Sequence, residues 1–462
     1  MAPALTKPAA KMPAFWKTYL VVAVCAALAA YVFLVDRKRE DKPEAPKEKV
    51  FALDKSKVKE LDLATVGRPA VHLTREGGDA WRMTSPFAVA ADSGEAEAMV
   101  SSLESLEVQE VVTETPGKLG EYGLDPPKST VSVLVQGAAE PMKLMLGEKT
   151  PDGAAVYAKV PSRARVFTLP AYAESSFDKK PFDLRDRDVL HLKRDAVKSI
   201  EVQGPEGAYA LARDDEGNWG FVRPLKTRAG RWSVDGLLGT LEGLRMESVA
   251  AEQAKDLKAF GLDKPARVVS LGLADGGTKT LQIGGDAGEK KVHAREAGSG
   301  LVAVVPGAVV DDLAKGMGEL RAKRLLDVST YDVDGFTVEE QGGKRAYARS
   351  TIRDKDGVDV YKWKRTAPDG KDLDTNKVQD ALFQVGAAEV QEFVDKPQAP
   401  AAYGCDQPFL KATLRMGPGK PEGWFELCRK DALVYARRAG DEAVLKLDDK
   451  KADELLKAFK QI

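Results

Sequence analysis

Histidine and cysteine are almost absent, with three of each in 462 residues. His72, His191 and His293 stand far apart, none with another histidine or a cysteine at metal-ligand spacing, so the sequence supplies neither a zinc site nor a histidine-based triad. A phosphate loop is missing too. Gly284-Gly285 and Gly342-Gly343 lack the Lys-Ser/Thr or further glycine of such a loop, and they lie between short apolar runs where hairpin turns are expected. No charge sign dominates: 70 Lys and Arg stand against 71 Asp and Glu, which removes the electrostatic reason to bind nucleic acid. Carboxylates are plentiful, but nothing in the sequence pairs them. No catalytic residue, cofactor or metal ligand is assigned, and the chain is read as no enzyme.

Long apolar runs are lacking as well, with one exception. Thr18 to Val35 is uncharged and mostly apolar, flanked by Lys17 and by Asp36-Arg37-Lys38-Arg39, with Phe15, Trp16 and Tyr19 where interfacial aromatics sit. It predicts a transmembrane helix over 18–35, after a cytoplasmic N-terminus (1–17) and before a charged, Pro-rich linker (36–49). Ala27-Leu28-Ala29 could form a signal-peptidase site, but cleavage there would cut inside the run. Cys25 follows Val24, where a lipidation site would carry Gly or Ala, so it reads as membrane-embedded. The basic residues on either side favour a cytoplasmic C-terminal side. A lone N-terminal span resembles an uncleaved export signal, however, and long domains cross largely regardless of charge. The expectation is a single-pass inner-membrane protein with its C-terminal region in the periplasm.

Overall composition is ordinary for globular material, 43% hydrophobic and 31% charged, and the length exceeds what one core holds. What is abundant is repetition. Tyr122-Gly123-Leu124-Asp125, Phe260-Gly261-Leu262-Asp263 and Tyr403-Gly404-Cys405-Asp406 recur 138 and 143 positions apart, each with a proline two residues after the aspartate. Trp81, Trp219 and Trp363 keep the same beat. So do Val156-Tyr157-Ala158-Lys159, Val292-His293-Ala294-Arg295 and Val434-Tyr435-Ala436-Arg437. The chain is a tandem array of units of about 140 residues, expected at 50–190, 191–327 and 328–462.

Each unit reads as strands, a helix, more strands and a second helix. In the first, Val58–Leu63 and Val71–Arg75 are expected strands, Ser93–Leu106 a helix capped by Asp92 or Ser93, and Val131–Val135, Lys143–Leu146, Val156–Lys159 and Val166–Leu169 further strands. Short strands joined by turns and mixed with isolated helices indicate antiparallel α+β units.

The repeated tetrad has the pattern of a helix stop. Gly123, Gly261 and Gly404 would take the left-handed conformation, Leu119 with Leu124 and Leu257 with Leu262 would touch across it, and Asp125 and Asp263 would bond to turn amides. Pro400 and Cys405 weaken that contact in the third unit. Cys405 and Cys428 are either a disulfide or two separate buried thiols. Leu184-Arg185-Asp186-Arg187 and Leu320-Arg321-Ala322-Lys323-Arg324 fall at the unit ends, where arginines would reach carbonyls or acids of the next unit.

The membrane-anchored start, the Tyr-Gly-Leu-Asp-x-Pro element, the Val-Tyr-Ala-Arg strand and the Leu-Arg-Asp-Arg segment together resemble the bacterial domain of unknown function 4340 family from about Val50 to Ile462. Members are similar to auxiliary components of gliding-type ATP-binding-cassette transporters. The resemblance implies an envelope role, with an envelope or transporter protein as partner, and carries over no catalytic residue. Two alternatives are a periplasmic cell-wall or polysaccharide binder and an unrecognised hydrolase. A working surface is expected where the units differ: Arg228, Arg231 and Trp232 in the second, and the charged insertion Arg353 to Lys371 in the third.

Overall fold

The computed structural model describes residues 21, 23–31, 48–327, 329, 331–341, 343–353, 355–417 and 423–462. Three nine-stranded sheets, paired antiparallel throughout, carry the chain. Numbered within its own unit, each has the strand order 4-3-2-1-6-7-8-9-5. The fold is therefore α+β with three repeats, as the pattern predicts.

The first unit shows why the sequence folds this way. Its first strand, Val58–Thr65, alternates buried and solvent-facing residues, and Leu61 pairs with Leu73 on one side and Val133 on the other. A two-residue fourth strand, Val89–Ala90, ends at one edge of the sheet. The helix Ser93–Ser105 then leads to the fifth strand, Glu110–Thr113, at the opposite edge. Asp92 caps that helix by accepting from the Glu95 amide at 3.2 Å. Ala96, Met99, Val100 and Leu103 recur at helical spacing and join Leu61, Leu73, Met83, Leu144 and Phe167 in the core. Each of these side chains larger than alanine stabilises the fold by about 1.5–3 kcal/mol on burial. A short second helix, Tyr172–Phe177, completes the unit.

Three strands in this unit go beyond the periodicity: Ala80–Ser85, Val89–Ala90 and Glu110–Thr113. The last alternates exposed and half-buried positions at a sheet edge, so it carries little apolar signal. The third unit has the same plan, with its helix at Thr375–Ala387 and a longer terminal helix, Asp449–Lys460.

By compactness the chain divides into Met1–Asp186, with the first sheet, and Arg187–Ile462, with the other two. The division falls a few residues before the expected boundary at 190. The reason is local: the Val189 amide donates to Leu244 O at 3.1 Å, and Met246 N to Arg187 O at 2.8 Å, which ties 187–189 to residues 244–246 of the second unit. Of the expected span 18–35, residues 21 and 23–31 are described. They are helical and exposed, and Cys25 is a free thiol there. Residues 18–20, 22 and 32–35 lie outside the described residues. Among the described residues no helix is long and apolar enough to cross a membrane.

Candidate functional site

Each repeated tetrad closes a single 3-10 turn: Leu119–Tyr122, Lys258–Phe260 and Pro400–Tyr403. Gly123, Gly261 and Gly404 follow at φ of 66°, 66° and 71°, in the left-handed region. Leu124 N donates to Leu119 O at 3.0 Å, Leu262 N to Leu257 O at 3.0 Å, and Cys405 N to Pro400 O at 2.9 Å. The glycine amides donate to Gly120, Lys258 and Ala401, which completes the hydrogen bonding of a Schellman stop. The aspartates differ from expectation. Asp125, Asp263 and Asp406 are exposed, and no hydrogen bond from a turn amide reaches them among the described residues. An aspartate turn bonds the amide two residues on, and Pro127, Pro265 and Pro408 stand there with no amide proton to give.

The two recurrent motifs prove to be halves of one contact. Tyr122 meets Tyr157, Phe260 meets His293 and Tyr403 meets Tyr435, each edge to face with ring centroids 5.1 Å apart. Beside each ring pair the residue after the glycine packs down onto a strand. Leu124 lies over Gly147 and Leu262 over Gly284. A Cβ on those glycines would stand 2.0 Å from Tyr122 O and 2.2 Å from Phe260 O. In the third unit both positions are cysteine, and Cys405 and Cys428 form a disulfide with Cα atoms 4.9 Å apart. Glu426 lies close by, but both sulfurs are committed to the bond and its carboxylate accepts from Arg437 at 2.8 Å. The group is a staple in place of a leucine–glycine contact.

The three residues expected to form one surface separate. Arg228 sits against the seam between the second and third sheets, where Ala322 N donates to its carbonyl at 3.0 Å. Burial holds its guanidinium below the usual range, opposed by Asp327, Asp441 and Asp214. Arg231 and Trp232 open the helix Arg231–Glu242 on the outside, with Trp232 79% exposed and the Arg231 guanidinium 5.5 Å from its ring centroid. Arg231 also reaches Asp235 at 3.8 Å. At the seam, Arg321 pairs with Asp395 at 2.7 Å and lies 4.6 Å over Phe393. The carbonyls there are met from the other side: Arg438 donates to Ala322 O at 2.9 Å and to Arg324 O, while pairing with Asp441 at 2.7 Å.

The insertion in the third unit is a projecting hairpin. Arg75 faces Trp81, Arg213 faces Trp219 and Arg349 faces Trp363 across the second and third strands. In the second unit the pairing ends there. In the third it continues through Ser350↔Lys362, Thr351↔Tyr361, Ile352↔Val360 and Arg353↔Asp359. Four more pairs extend it by about 13 Å. Tyr361 is exposed on this arm, with the Arg349 guanidinium 4.5 Å from its ring centroid. No sequence periodicity separates an exposed tip from a covered strand, so the arm is visible only as a length difference.

One depression, of about 580 Å³, is lined by Pro116, Gly117, Lys118, Leu119, Gly120, Asp125 and Lys159. Burial lowers the Lys159 ammonium, and its protons are directed to the carbonyls of Arg163 and Ala164. Its polar groups do not converge on a common point.

The profile of the family described as Domain of unknown function (DUF4340) matches residues 81–233 and again 219–408. The chain belongs to this family. Its two matched segments begin at Trp81 and Trp219, equivalent positions of successive repeats. No curated protein matches the chain at a significant level. Among solved structures, a DNA polymerase sliding clamp from Pseudomonas aeruginosa with ligand is 10% identical, over 87% of this chain and 93% of that one, at a TM-score of 0.16. The DNA polymerase III subunit beta from Pseudomonas aeruginosa is 8% identical over 87% and 94%, at 0.14. Scores this low carry no argument about fold or function.

Proposed function

We propose that the chain is a non-catalytic binding or scaffold component of the bacterial envelope, anchored by an N-terminal helix over 18–35, with its repeat units in the periplasm and a protein of a transport system as partner. The observation that carries this reading is where the units depart from one another. Trp232 stands where the other units have Gly94 and Asn376 at the second position of the helix, and Tyr361 lies on an arm that the second unit lacks. Both aromatics are exposed, whereas the tryptophans common to the units are buried and the common glycines are packed against a neighbouring strand. Exposed aromatics flanked by arginine are the residue types that dominate protein interfaces. The Cys405–Cys428 disulfide supports an oxidising compartment. A cell-wall polysaccharide is the second reading, favoured by the open face of Trp232, on which a sugar ring could stack.

Crosslinking in the native host, followed by identification of what is recovered, tests the reading. The double variant Arg231→Ala, Trp232→Ala should lose most partner recovery with its thermal midpoint unchanged. Unfolding of that variant, or undiminished recovery, overturns it. For the topology, alkaline phosphatase fused after Ile462 should be active, and an inactive fusion excludes a periplasmic C-terminal side.

A further inference from the structure

We infer that the free edge of the third sheet, at Asp372-Leu373-Asp374, is an acceptor for an extended segment of a partner protein with the pattern apolar, arginine, small or acidic, basic. This rests on the reading of the chain as a binding component and names the chemistry of a partner.

Each unit is bracketed around its long helix by extended residues. On entry, a bridge forms with a residue two or three positions past the helix: Lys49↔Glu107, Asp188↔Arg245 and Arg324↔Glu389. On exit, a bridge forms with the residue two positions before the helix: Ala91↔Arg185 in the first unit and Ala229↔Arg321 in the second. The exit bridges share one geometry. Asp92 N donates to Leu184 O and Asp186 N to Ala90 O, both at 2.9 Å. Gly230 N donates to Leu320 O at 2.8 Å, and Ala322 N to Arg228 O at 3.0 Å. Leu184, Arg185, Leu320 and Arg321 are all buried where they dock, the Arg321 side chain against Phe393 and Asp395 of the third unit.

The third unit has the same acceptor. Leu373 pairs with Trp363, as the Ala91 and Ala229 amides donate to Trp81 O and Trp219 O. The carbonyl of Asp372 and the amide of Asp374 therefore face away from the sheet, and among the described residues neither has a partner. Asp372–Leu373 is the edge strand, and Asp372 and Asp374 are exposed. A carbonyl and an amide at this spacing form the pair that the first two units fill with Leu184-Arg185-Asp186 and Leu320-Arg321-Ala322, and strand addition to such an edge is a general mode of peptide capture. Charge agrees with the occupant. The third edge carries two aspartates, whereas the second carries Arg228 and Gly230, and the internal occupants continue with Arg187 and Lys323.

A labelled peptide with the sequence of residues 318–326 is titrated against the full chain. Saturable binding is expected, with slowed hydrogen exchange at the Asp374 amide. Asp374→Pro, which fits the φ of −70° there and removes the amide proton, should bind at least about tenfold more weakly, the loss of one good hydrogen bond. Asp374→Ala removes the helix cap but keeps the amide, and should bind within about threefold of the parent, as an exposed charge contributes little. Absence of saturable binding, unchanged exchange at Asp374, or equal losses in the two variants overturns the inference. If Asp374→Pro does not fold, the exchange measurement on the parent chain decides. Partner recovery with the Arg231→Ala, Trp232→Ala variant is independent of this edge, so failure here is distinguishable from failure of the binding reading itself.

Discussion

At the scale of single residues, the third unit exchanges one solution for another at a fixed place. Leucine over glycine in two units becomes cysteine bonded to cysteine in the third, so the two changes are coupled. Closing a loop between residues 23 apart stabilises by about 3 kcal/mol in the chain-entropy view. Cys405→Ser with Cys428→Ser should lower stability by about that amount, read by denaturant unfolding. Cys405→Leu with Cys428→Gly should recover part of it by restoring the packing of the other units. At Gly284 the expectation is loss without remedy. Gly284→Ala places a methyl against Phe260 O and should destabilise by about 1–3 kcal/mol. Glu174 supplies a pH-dependent term. Hydrogen bonds from Lys128 and Lys149 hold its carboxyl below 4.5, so its stabilisation is complete above that value and is lost as pH falls through the depressed one. Glu174→Gln should therefore lower the thermal midpoint at neutral pH, with the difference closing in acid.

At the scale of elements, the hairpin Gly343–Arg353 and Asp359–Ala367 has an inner part that joins the core and an outer part that projects from it. Up to Arg349 and Trp363 it repeats the strands of the other units, and beyond them it adds no residue to the third core. Removing the outer pairs from Ser350 to Lys362 and closing the strands with a two-residue turn should leave circular dichroism and the thermal midpoint within error of the parent. Recovery of the crosslinked partner should fall. A drop of several degrees in midpoint would instead make the arm part of the fold.

For the molecule as a whole, the buried arginines join the second sheet to the third. Arg438 and Asp441 are fully buried as a pair, and Arg438 spans to the carbonyls of the linking segment 322–324. Asp441→Ala leaves that charge uncompensated and should cost about 3–5 kcal/mol. The loss should change little with added salt, because buried pairs are poorly screened. Calorimetry should show one transition for the second and third sheets in the parent and separate transitions in the variant.

The number of units, their α+β character, the helices and the glycine turns were legible from sequence alone, because each depends on near neighbours: apolar spacing, a capping aspartate, a glycine at positive φ. Edge strands such as Glu110–Thr113 were not, since half-buried positions carry little apolar signal. The candidate surface was half legible. Arg228, Arg231 and Trp232 are close in sequence, but the turn into a helix sends Arg228 to a seam and the other two outward. Sequence named Tyr122 and Tyr157 as repeats, and Cys405 and Cys428 as a pair with two outcomes. Only the tertiary structure decided that the rings touch, that the sulfurs replace a leucine and a glycine, and that, among the described residues, nothing pairs with the outer side of Asp372–Leu373, because each of these follows from strand register between segments distant in the chain.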